Sequence, residues 1–440
     1  MTHINDYFEK LNPKFYKLWL SDKPKHVVKG GRSSTKSSVI SQKLVEKKMK
    51  YPLSNMIAFR KQANTLRTSV YNQITWALYD AGVADQFTFR SNPMTILHKK
   101  WGTGFYFSGL DDPQKLKGFI IEKGFVSDLW FEECDAIDGV EEIDTVEDTF
   151  IRSNLPYGLE VNTWLSYNPP RNPYSWINKQ IAIWTNDDDW DITHATYLDD
   201  VRGYNSQQII RKIERYKEND INYYKWMYLG EVVGMGDNVY NMDLIHEVDD
   251  IPDDEYIVGL YFSTDTGHQV SATTTGCYAL TSKGNVYLLD TSYYSPVGKV
   301  KKRTPVEHCQ AIREFEDMMI GKYQKPVMNK TIDSAEGAIR NQYYDMYGEH
   351  LHPVAKKKKV DMVDYVQDLL AQGRFFVLKT EGNKIFISEH QQYRWDSRSI
   401  ETNPDNPSVV KVDDHCVDAF QYFVLDNLNH LGLAVGKGVR

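Results

Sequence analysis

The first residues able to do chemistry form a loop that combines glycines, hydroxyl side chains and one lysine. The loop reads Gly30, Gly31, Arg32, Ser33, Ser34, Thr35, Lys36, Ser37. It approximates the phosphate-binding pattern G-x-x-x-x-G-K-[ST], with Thr35 in place of the second glycine. Backbone N–H groups at a helix N-terminus bind phosphate, Lys36 would reach the β- and γ-phosphates, and Ser37 would ligate Mg²⁺. The alternative is a polar loop that only caps a helix.

A second acidic motif follows about 100 residues later. Leu129 to Phe131 form an apolar run that ends in Glu132 and Glu133. In an ATPase the first carboxylate at such a strand end holds Mg²⁺, and the second orients or deprotonates the attacking water. We therefore predict Glu132 as an ATP-site residue and Glu133 as the catalytic base. Taken alone, the motif could also be a strand that ends at a solvated acidic turn.

The second half of the chain carries a set of separated acids. Asp265 and Asp333 each end an apolar run, and Asp418 lies near the start of a predicted terminal helix. His415 lies three residues before Asp418 and so shares its helix face, and Asp414 is a further candidate. Carboxylates with one imidazole suit two Mg²⁺ or Mn²⁺ ions in a phosphodiester-cleaving site. Each acid alone could be an ordinary turn or cap residue.

Asp265-Thr266-Gly267 is also the tripeptide of aspartic proteases. That class needs two such loops, and Asp333-Ser334-Ala335 lacks the glycine, so we disfavour it.

The elements that must position these residues alternate between strand and helix. Runs such as 26–29, 55–59 and 125–131 predict strands, and 39–48, 6–20 and 65–81 predict helices, which indicates an α/β fold with a mainly parallel sheet. After residue 250 a hairpin (272–280 with 286–290), a helix (305–319), a strand (327–332) and a last helix (414–428) follow. We predict one domain over 1–235 with a small helical lid at 186–235, a linker at 236–250 and a second domain over 251–440.

Bulk composition limits the class of protein. The chain has 440 residues and a net charge of -8, and 41% of its residues are hydrophobic. A generic DNA-coating protein is therefore disfavoured, although a locally basic face could still bind DNA. No run is long enough to span a membrane, no secretory signal is visible, and four scattered cysteines fit a reducing compartment, so we expect the cytoplasm. The one dense basic run, Lys356 to Lys359, predicts a surface loop or a DNA contact.

In their order along the chain these motifs resemble the large terminase subunits of tailed bacteriophages. The loop at 30–37 is similar to the family's G-G-R-x-S-x-K-S variant, and Ala58-Phe59-Arg60-Lys61 resembles the segment after its first helix. Ser166-Tyr167-Asn168-Pro169 resembles the coupling motif, which implies that Asn168 links ATP hydrolysis to DNA movement. Asp265, Asp333 and the segment from Asp414 to Ala419 match the family's RNase H-like nuclease pattern.

The resemblance implies a motor that pumps double-stranded DNA into a procapsid and a nuclease that cuts DNA concatemers. Implied partners are the small terminase subunit and the portal, on which several copies would form a ring, while the free protein could be a monomer. The implied place of work is the host cytoplasm. A P-loop helicase or repair ATPase fused to a nuclease is the main alternative, and a non-enzymatic, nucleotide-gated assembly protein is the third.

Overall fold

A computed structural model describes residues 6–111, 121–267 and 271–433. The chain divides into two compact units. Within the described residues the first comprises 6–217 and 224–234, and the second comprises 218–223 and 235–433. Among these residues no helix is long and apolar enough to cross a membrane.

The first unit is built on an eight-stranded sheet. Its strands are β1 (Lys25–Gly30), β2 (Ser54–Arg60), β3 (Phe87–Ser91), β4 (Met94–His98), β5 (Gly104–Gly109), β6 (Phe125–Glu132), β7 (Asn162–Tyr167) and β8 (Trp190–Ala195). Their order is β3-β4-β5-β2-β6-β7-β1-β8, and only the pairs of β4 with β3 and β5 are antiparallel. The carboxyl ends of β1, β2, β6 and β7 therefore meet at one edge, which confirms the predicted mainly parallel α/β sheet.

Helices cover this sheet, and two apolar clusters fill the space between them. The helices are α1 (Asp6–Lys10), α2 (Tyr16–Leu20), α3 (Lys36–Lys50), α4 (Asn72–Asp80), α5 (Val140–Phe150) and α6 (Trp176–Trp184). Two further helices, α7 (Gln207–Asn219) and α8 (Ile221–Tyr224), lie where the chain passes between the units, since residues 218–223 belong to the second unit. The helix predicted over 39–48 begins three residues earlier, at Lys36. The helix predicted over 6–20 is interrupted by a 3₁₀ turn at Pro13–Phe15, because proline starts a new turn there.

Two predictions about the first unit are wrong in part. The segment 65–81 is not one α-helix, because a π-helical turn, Arg67–Tyr71, precedes α4. The segment 186–235 is not simply a helical lid, because it contains β8, which pairs along its whole length with β1. The alternation in β8 is short and interrupted by Asp191 and His194, so only its pairing partner makes it recognisable as a strand.

The second unit contains a seven-stranded mixed sheet. Its strands are β9 (His246–Val248), β10 (Ile257–Thr266), β11 (Thr273–Thr281), β12 (Val286–Tyr294), β13 (Val327–Ile332), β14 (His352–Pro353) and β15 (Phe375–Leu378). Their order is β14-β13-β10-β11-β12-β15-β9. The predicted hairpin is confirmed as β11 and β12, and β13 has the predicted bounds. The predicted linker at 236–250 is wrong in part, because β9 lies within it and pairs with β15.

The helices of the second unit are α9 (Pro305–Tyr323), α10 (Gly337–Tyr347), α11 (Lys359–Ala371), α12 (Asn383–Gln392), α13 (Ser397–Thr402) and α14 (His415–Asp426). Almost every residue of α14 is buried. Ser263 of β10 donates a hydrogen bond to the carbonyl of Ala419 on α14, at 2.7 Å. The last helix is thereby packed on β10, an interior strand of the sheet, so that its first turn lies beside the carboxyl end of that strand.

Candidate functional site

The loop between β1 and α3 has the backbone form that phosphate binding needs. Thr35, which occupies the position of the missing glycine, has φ of 61° and ψ of 8°, and Ser33 has φ of 62°. Left-handed residues of this kind turn successive N–H groups towards one point, although each costs a non-glycine residue about 1 kcal/mol or more. Gly30, at φ of 155°, lies so close to β8 that a Cβ atom would be 1.7 Å from the Ala195 carbonyl oxygen.

Contacts behind the loop hold it in place. The Arg32 N–H donates to the Met227 carbonyl at 2.8 Å, and the Asn205 amide donates to the Ser33 carbonyl at 3.0 Å. The Ser34 hydroxyl donates to the Gly31 carbonyl at 2.8 Å. A Cβ atom on Gly31 would lie 2.0 Å from the Tyr228 carbonyl oxygen. Gly31, like Gly30, is therefore required because another backbone segment approaches it closely.

Lys36 begins α3 and folds back over the loop. Its ammonium donates to the carbonyls of Gly30 and Gly31 at 3.3 and 3.2 Å, and to Asn168 Oδ1 at 2.5 Å. Burial lowers the pKa of Lys36 to about 8, against the attraction of Asp135 and Glu132. The predicted phosphate lysine and the predicted coupling residue are therefore direct partners. Ser37 follows in the first turn of α3.

Glu132 ends β6 as predicted, and Glu133 follows it with a left-handed φ of 50°. Burial raises the pKa of Glu132, while Arg60 opposes the shift. The Arg60 guanidinium pairs with both carboxylates, at 3.3 Å from Glu132 and in closer contact with Glu133. It also donates to the Ser69 hydroxyl at 3.0 Å.

Arg60 was not predicted as a site residue. It comes from the end of β2, and β2 pairs with β6, so the parallel register places it beside the two glutamates. The sequence signals are an arginine at a strand end and the resemblance of residues 58–61 to a family segment, and neither shows that Arg60 meets the two glutamates until β2 and β6 are known to be neighbours.

In the second unit, the carboxyl ends of two neighbouring strands carry the first two predicted acids. Thr264 of β10 pairs with Ile332 of β13 in parallel register, and Asp265 and Asp333 are the next residues. Neighbouring strands lie about 4.8 Å apart, so the two backbones are side by side at this edge of the sheet. The Tyr422 hydroxyl of α14 donates to Asp333 at 3.3 Å.

The first turn of α14 brings the remaining candidates to the same edge. His415 Nδ1 lies 2.8 Å from Asp265 Oδ2, and His415 Nε2 accepts the Ala272 N–H at 3.2 Å. Since a backbone N–H can only donate, Nδ1 carries the ring proton and donates it to Asp265. Both ring nitrogens are thus engaged, so His415 in this arrangement supports Asp265 and offers no lone pair to a metal ion. Asp414 precedes the helix without a side-chain capping bond.

Two lysines of the predicted basic run reach these carboxylates. Lys356 Nζ lies 2.5 Å from Asp333 Oδ2, and Lys359 Nζ lies 2.6 Å from Asp418 Oδ1. Lys356 lies in an exposed loop, as predicted, whereas Lys359 is partly buried at the start of α11. In the part of the chain that the structure describes, no three His, Cys, Asp or Glu side chains form a ready-made metal cluster. Two of the three aspartates instead have ammonium groups as their cations.

The pKa values of Asp265 and Asp333 are shifted in opposite directions. Burial raises the pKa of Asp265 to about 6, and the charges of Asp418 and Asp333 add to that shift. Partial burial works in the same direction at Asp333, but hydrogen bonds from Lys356 and the Ala335 N–H hold its pKa below the usual value. Such a cluster of acids is stabilised by cations, and its oxygens are the donors that Mg²⁺ and Mn²⁺ prefer.

The two units thus define a class: a P-loop ATPase domain with paired acidic residues at β6, and an RNase H-like domain with three aspartates at one edge of its sheet. The family model of the phage terminase large subunit matches residues 22–231, and that of the terminase RNase H-like domain matches residues 265–426. The chain belongs to the phage terminase large subunit family.

A similar sequence and a similar structure come from other bacteriophages. The large terminase subunit of Bacillus phage SPP1 is 31% identical over 232 residues, which are 52% of this chain and 54% of that protein. The match therefore spans about half the length of this curated relative. The large terminase of the thermophilic bacteriophage D6E has the same fold, with a TM-score of 0.74 and 20% identity over 94% of this chain and 98% of that one. A structure of that protein in complex with ADP matches with a TM-score of 0.73.

Proposed function

We propose that this protein hydrolyses ATP to move double-stranded DNA into a viral procapsid and cuts that DNA with its second domain. The observation that carries the proposal is the presence of two different clusters of candidate site residues in one chain. One is the phosphate loop with Lys36 and Glu133, and the other is the aspartate cluster around Asp265. Family membership supports the same combination.

For ATP, the residues present fit the ligand. The left-handed backbone at Ser33 and Thr35 and the two closely packed glycines form a cradle that the β- and γ-phosphates would enter. Lys36 would exchange its carbonyl partners for phosphate oxygens, Ser37 and Glu132 would hold Mg²⁺, and Glu133 would orient the attacking water. Arg60 pairs with Glu133 and would orient its carboxylate towards the attacking water.

The Lys36–Asn168 contact supports a route for coupling. A phosphate that draws the Lys36 ammonium away removes the partner of Asn168 Oδ1, at the loop that follows β7. Asn168 is exposed and its neighbour Tyr167 is buried in the core, so a change of partner alters the start of this loop rather than the sheet. We infer that Asn168 reports the filling of the phosphate loop to the segment that follows it.

For DNA cleavage, the donor set of Asp265, Asp333 and Asp418 fits Mg²⁺ or Mn²⁺. The ammonium groups of Lys356 and Lys359 already occupy cation positions on two of the three. When bound, two such ions would activate water and stabilise the charge on the scissile phosphate. His415 would then fix the orientation of Asp265, and Asp414 would add negative charge at the start of α14.

The remaining assignments follow from the family. We expect the small terminase subunit and the portal as partners, a ring of copies on the portal, and the cytoplasm of the bacterial host as the place of work. We propose an ATPase domain that ends near residue 235 and a nuclease domain that follows it and includes β9.

Two substitutions separate the two activities. Lys36→Ala removes the phosphate cation and should abolish ATP hydrolysis while plasmid cleavage with Mn²⁺ continues. Asp265→Asn removes one charge from the aspartate cluster and should abolish cleavage while ATP hydrolysis continues. Lys43→Ala on the surface of α3 and Asp317→Asn on the surface of α9 are the matched controls.

Full ATPase activity in Lys36→Ala would defeat the phosphate-loop assignment. Unchanged cleavage by Asp265→Asn would defeat the nuclease assignment. ATP-dependent separation of a forked duplex by the wild-type protein would favour the helicase class instead.

A further inference from the structure

The sheet edge that carries the aspartates also carries a second basic segment. It follows β12 and comprises residues 295–303, which we call the basic arm. Four of its last five residues are cationic, namely Lys299, Lys301, Lys302 and Arg303, and the arm contains no acid. Lys301 pairs with Glu307 of α9 at 3.1 Å, and its side chain is 84% exposed, so phosphate can compete for it. In a chain of net charge -8 this is a concentration of positive charge comparable to the run from Lys356 to Lys359.

The register of the sheet places the arm close to the aspartates. Thr266 at the end of β10 pairs with Thr273 of β11, and Thr273 pairs with Tyr294, the last residue of β12. The arm therefore leaves the sheet two strands from Asp265, or about 10 Å at the usual strand spacing. Along one DNA strand, at 3.4 Å per nucleotide, this is about three nucleotides.

The arm is built on a fixed base. The buried Tyr294 ring carries two cations, with Lys299 Nζ 3.9 Å and the Arg303 guanidinium 4.1 Å from its centroid. Its hydroxyl accepts the Arg303 N–H at 3.2 Å. Cation–π contacts hold the lysine stem without neutralising its charge, so both groups remain attractive to an anion. Val300 between them is fully exposed, at 107% of its reference accessibility.

The opposite flank of the aspartates is basic as well. The segment after β14 supplies Lys356 and Lys359 to the carboxylates and Lys357, which lies 4.7 Å from the Tyr365 ring. Positive charge thus lies on both sides of an acidic cluster along one sheet edge. A polyanion with charges at regular spacing fits this pattern, because its phosphates could lie on both basic flanks while one phosphate faces the acids.

From this juxtaposition we infer that the basic arm is a DNA-backbone contact of the nuclease domain, about three nucleotides from the phosphate that is cut. The inference rests on the proposed nuclease function and adds the strand-positioning surface to it. Contacts of this kind are to phosphates, so the arm sets the register of the duplex without reading its sequence.

Site-specific crosslinking of the full chain tests the inference. All four native cysteines are buried, so Val300→Cys introduces an accessible thiol on the arm. The probe is a DNA duplex that carries a disulfide tether on one phosphate. The reaction contains a metal chelator and no ATP. The control is Lys283→Cys, in the turn that joins β11 and β12 at the opposite end of the same two strands. We expect a disulfide crosslink with Val300→Cys well above the control, and loss of the crosslink as salt is raised.

A second measurement uses charge neutralisation. Lys299→Gln/Lys301→Gln should lower duplex affinity and reduce the slope of log affinity against log salt by about 1.8, because two phosphate contacts are lost. Lys283→Gln/Lys325→Gln removes the same charge at the opposite sheet edge and should leave the slope unchanged. With Mn²⁺, the arm variant should raise KM for cleavage and keep kcat.

Equal crosslinking at positions 300 and 283, or an unchanged salt slope in the arm variant, would overturn the inference. If the wild-type protein cuts DNA while either of these results is found, the arm assignment alone fails. If Val300→Cys crosslinks but no metal supports cleavage, the nuclease proposal fails and the DNA contact stands.

Discussion

Removing the two lysines that contact the aspartates should strengthen metal binding. In Lys356→Gln/Lys359→Gln the ammonium groups at 2.5 and 2.6 Å from Asp333 and Asp418 are gone. A divalent ion that binds these carboxylates in the wild-type protein must displace both ammoniums. The ion competes with them, so their loss lowers the free-energy cost of binding.

The magnitude follows from the exposure of the pairs. The lysine side chains are 38% and 21% exposed, so solvent screens both contacts. Pairs of this kind contribute up to about 1 kcal/mol each, and we take that upper end because their partners are largely buried. One kcal/mol is about fivefold in affinity, so the double variant should bind Mn²⁺ about 30-fold more tightly. The metal-free variant should also melt at a lower temperature, since Asp333 and Asp418 lose their ammonium partners.

Isothermal titration of the full chain with Mn²⁺, without DNA, measures the effect. Lys357→Gln is the matched control, because it removes one charge from the same run but contacts Tyr365 instead of an aspartate. It should change Mn²⁺ affinity far less. Unchanged or weaker Mn²⁺ binding in the double variant would refute the competition, and would mean that the lysines and the metal act together.

Two further predictions concern the phosphate loop and a buried histidine. Gly30→Ala should lower ATP turnover by about 100-fold, because the new Cβ meets the Ala195 carbonyl and displaces the phosphate loop. Gly321→Ala is the control, because nothing lies within 4 Å of a Cβ atom there. Wild-type turnover in Gly30→Ala would contradict the close packing. Burial lowers the pKa of His390 to about 4 from 6.5. Between about pH 6.5 and pH 4, His390 is protonated in the unfolded chain but neutral in the folded state. The free energy of unfolding therefore falls as pH decreases through this window, by up to about 1.4 kcal/mol per pH unit. In His390→Phe, the free energy of unfolding of the second unit, measured by urea denaturation, should depend less steeply on pH in this range. An equally steep pH dependence would contradict a lowered pKa for His390.

Local sequence was sufficient wherever a motif is contiguous. The phosphate loop, the strand that ends in Glu132 and Glu133, the β11–β12 hairpin and the strand before Asp333 are all written in adjacent residues, because burial of a strand and closure of a turn leave short-range patterns. The order of the acids along the chain was enough to indicate a nuclease domain. Element bounds were less accurate, as the start of α3 at Lys36 shows.

Tertiary structure alone decided which side chains meet. Arg60 reaches Glu132 and Glu133 because β2 and β6 are neighbours in a parallel sheet, although more than 70 residues separate them. Lys356 and Lys359 could be read as a solvated run until β13, β14 and α14 placed Asp333 and Asp418 beside them. His415 lies between Asp265 and the Ala272 N–H because α14 packs against β10 and β11, a placement that spacing along the chain does not show. Charge pairing depends on distance in space, and crossover connections set that distance independently of spacing along the chain.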